Sequence, residues 1–440
     1  MDQTNSILRT FFKYVSANIL GMIGLSCYIL ADTFFIARGV GADGLTALNL
    51  AIPIYSFLNG LGLMVGIGGA TRFSIAGGSR DEKTRKTVFT QAFCFMLCLA
   101  ALFFMAGLFL PYHLAALLGA DASILPLTGV YLRILLLFAP MFMMNNLLIA
   151  FVRNDGKPQL SMTAMLLGSF SNIVLDYILI FPFGLGMAGA ALATGIAPIV
   201  SMLILSRHFI RKENQFHFCR VRMHLKSIKD ICSLGVSSLI VEVSSGIVMI
   251  IFNMLILKDS GNLGVAAYGI LANIALVLIS IFTGISQGIQ PVLSSCFGKR
   301  ETENLKKVLR YALTTSVLFA MVSYGCTYLF SDPIVELFNK EHDLSLHAIA
   351  VEGMHIYFTA FLFVGINIIT AAYFSSIDRP GNAFLISCLR GFLLVIPLAF
   401  LLSALLGLTG IWLTVPAAEA LVTVVSAVLL FRAGQKSSPH

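Results

Sequence analysis

The sequence predicts an all-α integral membrane protein with twelve transmembrane helices in two six-helix lobes related by a pseudo-twofold axis. Three observations predict this fold: an apolar composition, twelve apolar blocks of membrane-spanning length, and an internal repeat. Of the 440 residues, 58% are hydrophobic and 11% charged, and the mean hydropathy is +0.90, which lies outside the range of soluble domains. The net charge of +8 comes from basic residues in short connections between apolar blocks, so we expect no nucleic-acid partner.

The apolar blocks follow one another along the whole chain. A helix that crosses a bilayer needs about 20 mostly apolar residues, and Gly, Pro or charged residues separate the blocks. The eight cysteines lie mostly inside or beside these blocks, which predicts small buried side chains and no disulfide framework. The predicted spans are 13–37, 48–73, 88–110, 127–151, 160–182, 187–207, 231–257, 265–291, 310–330, 350–374, 383–406 and 410–432.

The distribution of basic residues predicts the orientation in the membrane. If both termini are cytoplasmic, most of the 29 Lys and Arg residues fall in cytoplasmic segments. The segments on the opposite side hold only Arg38, Lys258 and Lys340. Because cytoplasmic loops carry an excess of Lys and Arg, we expect a multi-pass protein of the plasma (cell inner) membrane with both termini in the cytoplasm.

An internal repeat relates the first half of the chain to the second. The stretch GLTALNLAIPIYSFLNGLGLMVGIGGATRFSIAGGSR from Gly44 lies over GVAAYGILANIALVLISIFTGISQGIQPVLSSCFGKR from Gly264. Six spans per copy is an even number, so both copies enter the membrane in the same orientation. The predicted lobes are an N-lobe at 1–215 and a C-lobe at 216–440, which face each other across a cleft. A channel is disfavoured because one chain with two lobes has no ring of identical pore segments.

Few ionisable residues lie within the predicted spans. Each costs about 2.5 to 3.5 kcal/mol at a helix centre and is therefore a candidate functional residue. They are Asp32, Arg133 and Asp176 in the first lobe and Glu242, Arg390 and Glu419 in the second, with Glu352 near a span end.

Two of these carboxylates share one depth. With a rise of about 1.5 Å per residue, Asp32 and Asp176 both lie about 24 to 28 Å from the cytoplasmic face. Thr194 enters from the other side and reaches nearly the same level, and Asn172 precedes Asp176 by one helical turn. Two carboxylates, an amide and a hydroxyl suit either a proton or a sodium ion as ligand. The alternative is that Asp32 pairs locally with Arg38 and that Asp176 only joins helices.

Three stretches resemble the multidrug and toxic compound extrusion (MATE) family. They are ADTFFIARGVGADGLTALNLAIPI from Ala31, NIVLDYILI from Asn172 followed by GMAGAALAT ending at Thr194, and GISQGIQPVLSSCFGKR from Gly284. The resemblance covers nearly the whole chain. It implies a V-shaped bundle of twelve helices that exports organic cationic or amphipathic drugs across the cell membrane in exchange for protons or sodium. It also implies that Asp32, Asn172, Asp176 and Thr194 bind the coupling cation, and that they are the metal ligands if that cation is sodium.

A sodium-coupled branch of the same family carries acidic residues on its seventh and tenth helices. Glu242 is similar to the seventh-helix residue, but the tenth span has no carboxylate in its middle and Glu352 lies too near its end. Coupling in the first lobe is therefore favoured. Whether Glu242 takes part in coupling or in substrate binding stays open.

The cleft of such a transporter must accommodate flat, greasy cations. Flexible methionines and aromatic faces suit that task through adaptable packing and cation–π contacts. The candidate cleft residues, besides Glu242, are Met22, Tyr28, Met64, Met141, Met143, Tyr177 and Met249, with Asn145 and Gln287 as polar contacts.

The alternative within the same fold is a lipid-linked oligosaccharide flippase, which is expected to line its cleft with many Arg and Lys residues. Only Arg133 and Arg390 are available within the spans, with Arg72 near an end. An enzyme is not expected, because nucleophile-elbow, zinc-protease and Walker A motifs are absent. We expect no cofactor beyond the coupling ion, small organic cations and membrane lipid as partners, and function as a monomer.

Overall fold

The computed structural model describes residues 2–339 and 342–435, and every secondary-structure element in these residues is helical. Lys340 and Lys436, two of the 29 basic residues whose distribution predicts the orientation, lie outside the described residues. The α-helices are α1 (Asp2–Gly39), α2 (Ala42–Ser79), α3 (Glu82–Phe109), α4 (Pro111–Leu117), α5 (Leu125–Leu137), α6 (Ala139–Asn154), α7 (Pro158–Ile180), α8 (Gly186–Ile210), α9 (Leu225–Gly298), α10 (Thr302–Leu329), α11 (Ser331–Phe338), α12 (Leu344–Tyr357), α13 (Phe361–Ser376), α14 (Pro380–Cys388) and α15 (Val395–Gln435).

The twelve predicted spans are confirmed. Nine continuous stretches of the described chain are long and apolar enough to cross a membrane, and α5 with α6 forms a tenth span that is bent by 47°. Two of the nine stretches hold two spans each, because α9 is broken at Gly261 and the stretch from α14 through α15 is broken at Gly407. Both glycines have positive φ, of 65° and 59°, a conformation that a residue without a Cβ adopts at little cost.

The repeat is visible in the backbone as well as in the sequence. Gly41 and Gly261, which occupy equivalent positions in the two copies of the repeat, both have positive φ, and so do the equivalent Arg80 and Arg300. The short helices α4 and α11 also start at equivalent positions, each after the third span of its half. Equal backbone conformations at equivalent positions indicate that both halves are built on the same six-span plan.

The buried apolar residues form three clusters. The first contains side chains from the first half but extends to Phe216 and Ile231, and the second lies within the second half. The third joins Phe11 and Val15 of α1 to residues such as Ile285 in the second half. The start of α1 and the start of α9 therefore pack against helices of the opposite half of the sequence.

The connection between α8 and α9 is anchored to the first half. His208 is buried and its Nε2 lies 2.8 Å from Asp155 Oδ2, which also accepts a hydrogen bond from the Gln215 backbone at 2.8 Å. Burial raises the pKa of the Asp155 carboxyl. Phe216 is fully buried, and its ring packs on the ring of Phe89 with centroids 4.6 Å apart. These contacts fix the chain immediately before α9 begins.

Close contacts between the two halves concentrate at one end of the bundle, the end that carries the turns at Arg80 and Arg300. We call this the basic end. A Cβ built on Gly68 of α2 would meet the backbone oxygen of Ile231 in α9, and one built on Gly284 of α9 would lie 2.7 Å from the Ile19 Cα of α1. Backbones approach this closely only where side chains are absent, so the two halves are closed against each other at the basic end.

A methyl group at Gly68 should disrupt this closure. We expect Gly68→Ala to lower the free energy of unfolding by about 1–3 kcal/mol, because the new Cβ overlaps a backbone atom that cannot move away. Gly325→Ala on α10 is the matched control, since no heavy atom lies within 4 Å of its added Cβ, and alanine favours a helix over glycine. Thermal unfolding of both variants in detergent checks the prediction, and equal unfolding temperatures would contradict it.

Candidate functional site

A cavity of about 490 Å³ lies between the two halves. Helices α1, α2, α6, α7 and α8 line it from the first half, and α9, α12, α13, α14, the π-helical turn Leu389–Leu393 and α15 line it from the second. Among the predicted cleft residues, those that line the cavity are Met22, Tyr28, Asn145, Glu242, Met249 and Gln287.

Other predicted cleft residues lie elsewhere. Met64 is buried in the first apolar cluster, and Met141 and Met143 do not line the cavity. Tyr177 is 54% exposed and packs beside Phe35 and Phe181, outside the cavity. Tyr177 directly follows Asp176 in α7. Adjacent residues of a helix point in different directions, so Tyr177 does not face the side chains that surround Asp176.

The two carboxylates predicted at one depth come together. Asp32 of α1 is 7% exposed and Asp176 of α7 is fully buried, and their side chains lie within hydrogen-bonding reach of each other. One oxygen of each carboxyl group, Oδ1, has no hydrogen-bond partner among the described residues. Neither residue lines the cavity. A pair of neighbouring buried carboxyl groups is chemically able to hold a proton or another small cation.

Asn172 and Thr194 lie beside this pair and separate it from the cavity, which both residues line. With the Asn172 amide oriented to satisfy its neighbours, Nδ2 donates to Asp176 Oδ2 at 3.0 Å and Oδ1 accepts from the Thr194 backbone nitrogen at 3.2 Å. An N–H group that points at a carboxylate stabilises its ionised form. Asp32, Asn172, Asp176 and Thr194, which were predicted to form one cation site, are therefore neighbours. The Asn172 amide directs its N–H group, and not its oxygen, at Asp176.

Three tyrosines that surround the acidic pair complete the wall of the site. The hydroxyl groups of Tyr28 and Tyr55 lie 3.1 Å apart, and Tyr131 lies near Thr194. Our sequence analysis did not identify Tyr55 or Tyr131. A tyrosine within an apolar span is a usable signal, because a buried hydroxyl group needs a partner. Tyr28 precedes Asp32 by one turn of α1, so both lie on one face of that helix.

Glu242 faces the cavity at the junction of the two halves. Asn59 of α2 lies beside its carboxylate, and the Asn59 Oδ1 accepts a hydrogen bond from Asn146 of α6 at 2.8 Å. This chain of amides holds the carboxylate at the cavity wall, apart from the Asp32 and Asp176 pair. An accessible carboxylate in a largely apolar cavity attracts the cationic part of an amphipathic molecule.

The second half contributes a buried ion pair. Arg390 lies in the π-helical turn and donates through Nη2 and Nε to Glu419 Oε1, at 2.7 and 3.1 Å. Asn367 donates to the other oxygen of Glu419 at 2.7 Å, and its own Oδ1 accepts from Thr423 and Ser426. Every oxygen of the carboxylate is thus paired, and Arg390 lines the cavity. π-Helical turns are frequent at functional sites.

Polar residues close the cavity at the basic end. Arg153 is buried and donates through Nη1 to Asn18 of α1 at 2.9 Å and to Gln287 of α9 at 2.6 Å. Arg153 lies beyond the predicted span 127–151, in what was expected to be a cytoplasmic connection, but it belongs to the last turn of α6 and lines the cavity. Arg133, expected to be available to the cleft, is exposed and does not line it. The arginines of the cavity wall are therefore Arg153 and Arg390.

Comparison with known proteins identifies relatives along the whole chain. The MatE family model matches residues 18–178 and 235–401, which together make up more than half of the chain. A multidrug export protein, MepA, of Staphylococcus saprophyticus is 26% identical over 98% of this chain and 94% of its own length. MepA of Staphylococcus aureus is 24% identical over the same shares.

Solved structures share the fold. A multidrug resistance MATE family transporter of the MOP superfamily, in an outward-facing conformation, superposes with a TM-score of 0.91 at 22% identity and covers 98% of this chain and 96% of its own. A MOP superfamily transporter from Pyrococcus furiosus superposes with a TM-score of 0.90 at 22% identity over the same shares. At this level of identity the likeness extends to the fold alone.

Proposed function

This chain belongs to the MatE family of multidrug and toxic compound extrusion transporters, and we propose that it exports organic cationic or amphipathic drugs by antiport with an inward-moving cation. Its MepA relatives are multidrug export proteins, and the same activity fits the cavity between the halves. The protein is a transporter and not an enzyme in this proposal. It lies in the plasma membrane with both termini in the cytoplasm and acts as a monomer.

One observation carries the proposal, namely the buried pair of Asp32 and Asp176 beside a cavity that can hold a drug-sized molecule. Buried carboxyl groups are costly in a membrane and mark ion pathways. The cavity has methionine and tyrosine on its walls together with the carboxylate of Glu242, which suits cationic aromatic molecules. Coupling ion and drug would then bind at separate but adjacent places.

The geometry favours a proton as the coupling ion. Asp32 and Asp176 lie within hydrogen-bonding reach, and a bond between two carboxyl groups contains a proton. Asn172 presents an N–H group to Asp176, whereas a sodium ion needs oxygen ligands. If sodium is the ion, Asp32, Asp176 and Thr194 would hold it, and the Asn172 amide would have to turn its oxygen toward the site.

We propose that the protein works by alternating access, and the closure of the bundle at one end supports this proposal. The halves touch closely at the basic end, where Arg153 links Asn18 to Gln287. Export requires a second arrangement in which these contacts open and a drug enters from the cytoplasmic side. Protonation of the acidic pair would change the packing of α1 against α7 and favour release of the drug outside.

A flux measurement tests the proposal. The purified protein is placed in liposomes loaded with ethidium, and either a proton gradient or a sodium gradient is imposed at zero membrane potential. We expect the proton gradient alone to drive dye movement. Dye movement driven only by the sodium gradient would support antiport with sodium, and not the proton, as the coupling ion. No dye movement with either gradient would favour the flippase alternative.

A further inference from the structure

A second, smaller cavity of about 200 Å³ lies at the basic end, away from the 490 Å³ cavity between the two halves, which we call the transport cavity. It is bounded by α2 and α3 from the first half and by the first turns of α9 from the second. Its walls are mostly polar, with two apolar side chains, and it brings together side chains that are far apart in the sequence. The wall residues used here are Arg72, Thr84, Thr87, Gln91, Lys226 and Asp230.

Gln91 shows that this cavity is suited to a polar ligand. Its side chain is only 5% exposed, yet it forms no hydrogen bond with any residue that the structure describes. It lines the cavity, so its amide faces the enclosed space. An amide that has no partner within the described protein is free to hydrogen-bond a polar group bound in the cavity.

The charges around the cavity favour an anion with a donor group next to it. Lys226 forms no ion pair with a carboxylate among the described residues. Arg72 forms an ion pair with Asp378, with Nη1 3.6 Å from Oδ2. These two cations lie on the wall with the hydroxyl groups of Thr84 and Thr87. Asp230 lies on the same wall and would repel a simple anion, but it accepts hydrogen bonds from a hydroxyl or ammonium group.

We propose that this cavity, which we call the headgroup site, binds the phosphate and the adjacent donor group of a membrane phospholipid such as phosphatidylglycerol or phosphatidylethanolamine. Arg72 and Lys226 hold the phosphate, Gln91 donates to it, and Asp230 accepts from the glycerol hydroxyl or the ammonium group. Basic cavities between helices at the cytoplasmic side of membrane proteins suit such headgroups. Val88 and Ile231 are the two apolar residues of the wall.

The headgroup site also has a structural consequence. Gln91 belongs to α3 and Lys226 to the start of α9, so a bound headgroup contacts both halves of the repeat. The site adjoins the glycine contact between Gly68 and Ile231. A lipid bound here therefore stabilises the arrangement in which the basic end is closed, whatever the transported substrate is.

Thermal unfolding of delipidated full-length protein in detergent, titrated with short-chain lipids, tests the proposal. We expect dihexanoyl phosphatidylglycerol and dihexanoyl phosphatidylethanolamine to raise Tm saturably. Dihexanoyl phosphatidylcholine, which has no headgroup donor, and free glycerol phosphate should require at least tenfold higher concentrations. An equal effect of phosphatidylcholine would overturn headgroup recognition, and an equal effect of glycerol phosphate would identify a soluble phosphate as the ligand in place of a lipid.

Variants locate the effect. Gln91→Leu and Lys226→Gln should each raise the half-saturating lipid concentration at least tenfold. Lys226 is exposed, so its replacement leaves the fold intact even if Gln91→Leu does not. Lys229→Gln, an exposed position one turn along α9 that does not line the cavity, is the matched control and should respond like the unaltered protein. An unchanged lipid response in Lys226→Gln and Gln91→Leu would place lipid binding elsewhere.

Discussion

Replacing Asp32 or Asp176 with asparagine is expected to lower gradient-driven drug export by about tenfold or more, while the protein still folds. Asparagine keeps the shape of aspartate and can form similar hydrogen bonds, but it cannot take up and release a proton. The two side chains lie within hydrogen-bonding reach, so they act as one site. The double variant should therefore be no worse than either single variant, because groups that share one function are not additive.

The measurement is dye efflux from proteoliposomes under a proton gradient, alongside dye exchange without any gradient. Loss of efflux with retained exchange identifies a coupling defect, whereas loss of both indicates damage to the fold or the cavity. Asp43→Asn is the matched control, because Asp43 is an exposed carboxylate in the first turn of α2. If Asp32→Asn and Asp176→Asn each retained full efflux, the acidic pair would not be the coupling site.

The depth of this pair could be predicted from the sequence, but the rotation of the helices could not. The rise per residue gives each carboxylate a height, and Asp32 and Asp176 indeed meet. Helices in a bilayer can be apolar on all sides, so the pattern of apolar residues does not show which face points inward. Met64 and Met141 were predicted in the cleft on residue type alone, and the structure places both outside it.

The internal repeat predicted the positions of the turns better than the positions of the functional residues. Positive φ recurs at Gly41 and Gly261, which shows that the two halves kept the same turns. The charged residues do not repeat: in the alignment of the two halves Asp32 lies opposite Phe252, which is fully buried in an apolar cluster. A repeat constrains turns and helix lengths, which both halves need, whereas a functional site can be lost from one half without cost to the fold.

Partners from distant helices were not predictable. Arg390 and Glu419 were both recognised as ionisable residues within spans, but nothing in the sequence indicated that they pair across two helices. Arg153 lies just beyond the predicted span 127–151 and was therefore expected in a connection, and only the packed structure shows its contact with Gln287. Such contacts depend on the angles between helices, which local sequence does not determine.

The second large effect concerns the ion pair of the second half. We expect Glu419→Gln to lower the free energy of unfolding by about 3–5 kcal/mol, because it leaves the Arg390 guanidinium, whose side chain is only 12% exposed, without a counter-charge. Asn367 cannot relieve the loss. Its Nδ2 would face the amide nitrogen of a glutamine at 419, and its Oδ1 is already occupied by Thr423 and Ser426.

Replacing the other partner of the ion pair, Arg390, should lower the free energy of unfolding by less. In Arg390→Met the Glu419 carboxyl group can take up a proton and keep its hydrogen bond to Asn367, whereas arginine stays charged at any accessible pH. The double variant Arg390→Met with Glu419→Leu should recover much of the stability lost in Glu419→Gln, since it removes both charges together. This order of stabilities distinguishes an ion pair from two independent side chains.

Denaturant unfolding in micelles measures these differences. Glu352→Gln is the matched control, because Glu352 is exposed and its hydrogen bond to Thr409 is 3.2 Å long. Arg390 keeps 12% of its side chain exposed and lines the transport cavity. A cost below about 1 kcal/mol for Glu419→Gln, as for a surface ion pair, would therefore mean that water in the cavity solvates the guanidinium. In that case Glu419 would position Arg390 at the cavity wall without contributing to the stability of the fold.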